Sequence, residues 1–296
     1  MATSFTPLAS DGQYVYGWGD RQIARIAVGG GAVETVVAGL DVSNDWSLIV
    51  DSNYVFWTWN DWPTNRVVLL RAPKTGGSAT VLNEHVQLDV IADASSIVTG
   101  TPNGIVGIAK DSGTVSAITA PTDVGAVVAV NASYVYFLSR HGDATAPPLA
   151  AIRRVSRAGG ASEEIAWWHP YGDGLPPRTI ADGAAVFAWD FGRIVRVSFA
   201  DGAVTTIFDG QNGPIAADRP GYMGIDDTNV YWVTFPNDDG GPPYTSPRYF
   251  LTRVGKDGTG AAALATSTTG SGHHVTAVGD SVYYDLASTL YRRCKM

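Results

Sequence analysis

His274 and Asp285 are an imidazole and a carboxylate lying close together near the end of a 296-residue chain, and such a pair can pass one proton between them. Three further groups of the same kind, His141, Arg178 and Asp190, stand at long distances from them along the sequence. Carboxylates with imidazoles suit either acid–base catalysis or a divalent cation, for which Asp190, Asp285 and His274 form the candidate ligand set. An arginine suits an anionic group or a developing oxyanion. Seven side chains could hold a substrate beside them by stacking or hydrogen bonding: Trp46, Trp59, Trp62, Arg140, Trp168, His169 and Tyr244. No G-x-S-x-G elbow, H-E-x-x-H, phosphate loop or C-x-x-C pair occurs in the chain. The chemistry therefore depends on whether the fold gathers these residues.

The elements that would gather them recur. "DGQYVYGW", "DSNYVFWTW", "DASSIVTG", "NASYVYFL", "DGAAVFAW" and "DDTNVYWV" share an Asp or Asn, a short turn, and a β-branched residue before an aromatic or apolar one. A seventh copy, "GDSVYYDL", has a shorter turn. The copies follow one another at about 40–50 residues, the length of a four-stranded propeller blade. Each is preceded by one short apolar strand and followed by another, such as "IVRVSF" or "LTRVGK", then a glycine turn and a further strand. The reading is an all-β, seven-bladed β-propeller of four-stranded antiparallel blades, one domain over 1–296. Six blades is the alternative, should the degenerate unit at 93–118 merge with a neighbour. The last unit has three strands, and the segment "MATSF" is expected to supply the fourth and close the ring.

Strand direction assigns the loops. The turns between first and second and between third and fourth strands are short and alike, and belong to one face. Long, individually different connections, among them "SRHGDATAPPLAA" and "FPNDDGGPPYTSPRY", belong to the other, which is the candidate functional face. All five histidines fall there. Inner-strand starts and second-strand ends would place Asp45, Trp46, Asn60, Asp89, Arg140, His141, Arg178, Asp190, His274 and Asp285 around a central cup, roofed by Trp62, Trp168 and Tyr244. Trp57 and Trp232 read as packing between blades. Asp11, Asp51, Asp182, Asp226 and Asn131 read as turn acceptors on the opposite face.

"NVYWVTF" and "YVFWTWN" resemble the YWTD-type propeller repeats and the bacterial TolB-like propellers, which implies a propeller fold and no catalytic residue. Streptogramin-type lyases are similar in length and blade number and carry a histidine before the last inner strand. His274 has a comparable place, with Asp285 where that resemblance would put a glutamate.

Composition narrows the function classes. A net charge of −8 and a pI near 5.0 argue against nucleic acid and anionic membranes as partners. No apolar run is long enough to span a bilayer, no signal peptide is recognisable, and the one cysteine, Cys294, has no internal partner. Few lysines with abundant Trp, Gly and Thr point to a periplasmic or secreted monomer. Because packing residues repeat while the long loops differ, one composite site is expected rather than one per blade. The reading is a hydrolase or lyase acting on a small molecule, glycoside or ester, assisted by one divalent ion (Ca, Mg or Zn) and no organic cofactor. The alternatives are a lectin-like binder of a glycan or small ligand, and a protein-interaction scaffold.

Overall fold

Each repeat becomes a blade because its turn is built locally. In the computed structural model Asp11 Oδ1 accepts the backbone N–H of Gln13 and Tyr14 at 2.9 and 2.8 Å, and Asp51, Asp93, Asn131, Asp182 and Asp226 do the same in their own repeats. The turn aims the next β-branched residue inward: Val15, Val55, Ile97, Val135, Val186, Val230 and Val282 are all completely buried. The structure describes all residues except 1–4, 41–46, 62–63, 65, 88, 121–122, 142–148, 169–177, 191, 211–218, 236–248, 268–273, 287–288 and 296.

Six sheets have four strands and the seventh has three, all antiparallel and in sequence order from the axis outward. The inner strands are Thr6–Ser10, Leu48–Val50, Val90–Ala92, Ala126–Val130, Arg178–Ala181, Arg219–Ile225 and Val275–Val278. Each touches the next, and the last touches the first, so the sheets close into a ring of seven blades. The unit at 93–118 forms its own blade, which removes the six-bladed alternative. Among the described residues there is no helix, and none long and apolar enough to cross a membrane. The closing strand expected from "MATSF" falls on residues 1–4, outside the described ones. Phe5 itself is no strand: it is buried with Val278 and Tyr283 of the seventh blade and Val15 and Ala24 of the first.

Between blades the core is apolar and continuous. Trp232 is fully buried against Phe208, 4.8 Å between ring centroids, and Trp189, at 6.0 Å. Trp57 packs with Tyr16 and Ile23 of the first blade. Both are packing residues, as their repeat position implied.

The short-turn face carries a feature that the sequence reading missed. The turn aspartate of one blade bonds a cation placed just after the third strand of the next blade. The pairs are Asp11–Lys74, Asp51–Lys110 (3.0 Å), Asp93–Arg157, Asp182–Lys256 (2.6 Å) and Asp226–Lys295 (2.8 Å). At the fourth-to-fifth joint the slots hold Asn131 and Phe199, and Phe199 instead stacks on Tyr136 at 3.8 Å. At the seventh-to-first joint the Tyr283 hydroxyl donates to the carbonyl of Val28. Loss of the carboxylate thus goes with loss of the cation.

These joints make the fold acid-sensitive. Burial alone would raise Asp11, but Lys74, the N–H groups of Tyr14 and Gln13 and the Tyr16 hydroxyl outweigh it and bring it from 3.8 to about 2. The same balance lowers Asp51, Asp93, Asp182 and Asp226. A carboxyl depressed on folding stabilises the native state above its unfolded value and loses that contribution as pH falls through the folded one. The melting temperature should therefore drop between about pH 4 and pH 2, and less steeply in Asp11→Asn. A flat acid limb, or identical slopes, would contradict this.

Candidate functional site

Register fixes which polar residues share the mouth of the axis. Val90, Thr179 and Val275 pair with Thr99, Ala188 and Tyr284, which are equivalent positions of the second strands of blades 3, 5 and 7. The residue preceding each on the inner strand is Asp89, Arg178 and His274. An acid, a guanidinium and an imidazole thus occupy one repeat position in three alternate blades, on the face of the long connections.

Asp89 lies in an unusual setting. Its surface is reached by solvent, yet protein surrounds it, as expected of a side chain in a channel mouth. Burial pushes its carboxyl above the ordinary value, and Arg178 pulls it back. The two belong to blades separated by the fourth, so their attraction acts across the mouth.

His274 and Asp285 form the second polar pair. Asp285 is 3% exposed, and its Oδ1 accepts the backbone N–H of His274 at 2.7 Å. The Nδ1 atom of His274 stands 4.0 Å from the same oxygen, and the half-buried ring keeps part of its surface in solvent. Asp285 thereby fixes the position of the histidine and places a negative charge behind its ring. A carboxylate this near the ring would favour its protonated form, as one does beside a general base.

Asp190 goes elsewhere. It is 3% exposed and pairs with Arg193 at 2.8 Å across the turn to the third strand. Asp190 lies opposite Arg193 in the hairpin, whereas Asp285 lies opposite Leu290, the place that Trp189 fills in the fifth blade. With a side-chain period of two, the carboxylates leave opposite faces of their sheets. Among the described residues no three His, Cys, Asp or Glu groups come together as a metal site, so Asp190, Asp285 and His274 are not assembled into one.

The binding residues divide in the same way. Trp59 is half-buried and packs on the cluster of Tyr16, Leu48 and Trp57. Trp168 is 7% exposed and packs with Leu138, Ala150 and Ala188. The backbones of Arg140 and Trp168 pair with Ala150 from its two sides in the fourth blade. His141 ends the second strand of that blade. Trp46, Trp62, His169 and Tyr244, with Asp45 and His273, lie outside the described residues. Asn60 Oδ1 and Ser139 Oγ, at the same end of their strands, are buried with no hydrogen-bond partner among the described residues. A buried polar atom left so is costly, and a polar ligand or water would relieve it.

No protein-family model matches the chain, and no curated protein matches it at the sequence level. Solved propellers do share its shape. The β-propeller domain of the Trilobed protease from Pyrococcus furiosus, described as having an open velcro topology, is 11% identical with a TM-score of 0.62, over 99% of this chain and 95% of that one. YCF48 bound to D1 peptide is 13% identical, TM-score 0.60, over 99% and 93%. PorZ, a surface component of the type-IX secretion system of Porphyromonas gingivalis, is 7% identical with a TM-score of 0.61. The match spans 99% of this chain but only 37% of PorZ. At these identities the likeness shows the fold alone: a seven-bladed propeller.

Proposed function

We propose that the mouth formed by Asp89, Arg178, His274 and Asp285 is a single composite active site of a hydrolase or lyase acting on a small polar molecule. His274 is the general base, oriented by Asp285. Arg178 holds an anionic group or the developing oxyanion, and Asp89, raised by burial, is suited to return a proton. The observation that supports this reading is the buried Asp285 carboxylate fixed on His274. The lectin-like alternative gains less, because the described tryptophans Trp57, Trp59, Trp168 and Trp232 are engaged in packing. Trp167, 51% exposed on the outer strand of the fourth blade, is far from the axis in strand order. A divalent ion would need ligands beyond Asp285 and His274. The proposal also places the protein outside the cytoplasm as a monomer.

The test uses a panel of p-nitrophenyl esters, p-nitrophenyl glycosides and simple lactones, offered to purified protein before and after EDTA treatment. Turnover that survives His274→Ala unchanged for every active probe would overturn the assignment of the base. Turnover abolished by EDTA and restored by one ion would bring the metal back into the reading.

A further inference from the structure

We propose that the third strand of the seventh blade, Thr289–Cys294, receives an extended acidic segment of a partner protein as the blade's fourth strand.

Comparison of this strand with its six equivalents shows what it lacks. Leu290 aligns with Ile23, Leu69, Ile105, Ile152, Ile194 and Leu251, through their common pairing to the second strands. All six are completely buried; Leu290 is only half-buried. The next residue, Tyr291, is 43% exposed, whereas Ala24, Val106, Val195 and Thr252 at its place are buried. Its ring stacks on Tyr284 on one side and is open on the other. Among the described residues no strand pairs with the outer edge of Thr289–Cys294. The edge therefore offers a row of backbone donors and acceptors beside uncovered apolar surface, the requirements for strand addition.

The other blades also indicate the chemistry of the missing strand. Arg292 is equivalent to Arg25 and Arg154, each paired to a second-strand tyrosine. In blades 1 and 4 those arginines face the first residue of the fourth strand, Glu34 and Glu163, and bond it. Arg292 reaches Ser281 and the carbonyl of Gly29 and has no such glutamate among the described residues. Arg293 adds a second positive charge where the other blades hold Ile26, Ala72, Ile108, Val155, Val197 and Val254. A cationic edge on a chain of net charge −8 selects an acidic strand. The fitting segment begins with Glu and continues with β-branched residues, as "ETVVA" does in the first blade. The segment "MATSF", from which this strand was expected, contains no carboxylate.

The probe is a fluorescein-labelled, end-capped ETVVAG peptide added to the full chain. Anisotropy should saturate with a Kd on the order of 10–100 µM, with slowed hydrogen exchange confined to 289–294. Lys in place of the peptide's Glu, or Arg292→Glu in the protein, should each weaken binding about tenfold, and the two changes together should restore it. Should Arg292→Glu fail to fold, Tyr291→Lys serves instead, and about fivefold weakening is expected. Three results overturn the proposal. One is no binding at about 1 mM peptide, well above the expected Kd. Another is slow exchange at 289–294 without peptide that is lost on deleting residues 1–4, which makes the chain its own donor. The third is a dimer that Tyr291→Lys dissolves, which makes a second copy the occupant.

Discussion

Replacing His274 by alanine should lower kcat about 10²–10⁴-fold on any probe the protein turns over, the range a positioned general base contributes. The physical reason lies behind the ring. The Asp285 carboxylate, 3% exposed, accepts the backbone N–H of His274 and stands 4.0 Å from the ring Nδ1, so a buried negative charge lies beside the imidazole. Asp285→Asn keeps an acceptor for that N–H but removes the charge behind the ring. It should keep the fold and still cost at least about tenfold in kcat. Asp190→Asn is the control, since Asp190 is paired with Arg193 on the opposite face of its sheet. Its loss should leave kcat within about threefold of the parent. Equal losses from Asp190 and His274 would mean that the carboxylate and the imidazole act together after all.

The largest effect on stability is expected at Trp232. Its side chain is completely buried between the fifth and sixth blades, in contact with Trp189 and Phe208. Trp232→Ala opens a cavity that two rigid sheets cannot close, and should cost about 3–5 kcal/mol. Its indole Nε1 has no hydrogen-bond partner among the described residues, so Trp232→Phe should cost much less than alanine. Urea unfolding midpoints measure both. A loss under about 1 kcal/mol for alanine would show that the joint relaxes and that the blades are not close-packed.

The architecture was legible because its signals are local. An aspartate that caps its own turn, and a valine and an aromatic that follow it, are read within one repeat, and the period counts the blades. The latches between blades were written in the same repeats. Lys74, Lys110, Arg157, Lys256 and Lys295 each follow a third strand, but their partners are 59 to 74 residues distant, and only the ring shows the pairing. The candidate site was legible in part for the opposite reason. Asp89, Arg178 and His274 share a repeat position, so counting back from the turn finds them. Asp190 and Asp285 look alike in sequence, each near a second-strand end, yet one step of register sends them to opposite faces.

The central claim is that inner-strand starts of separate blades face one another across a single mouth. Carbon-13 NMR titration of the Asp89 carboxyl, in the parent and in Arg178→Gln, tests it most directly. Titration above the ordinary aspartate value, rising further when Arg178 is removed, is the predicted result. An Asp89 that titrates as a free aspartate and ignores the substitution would contradict it.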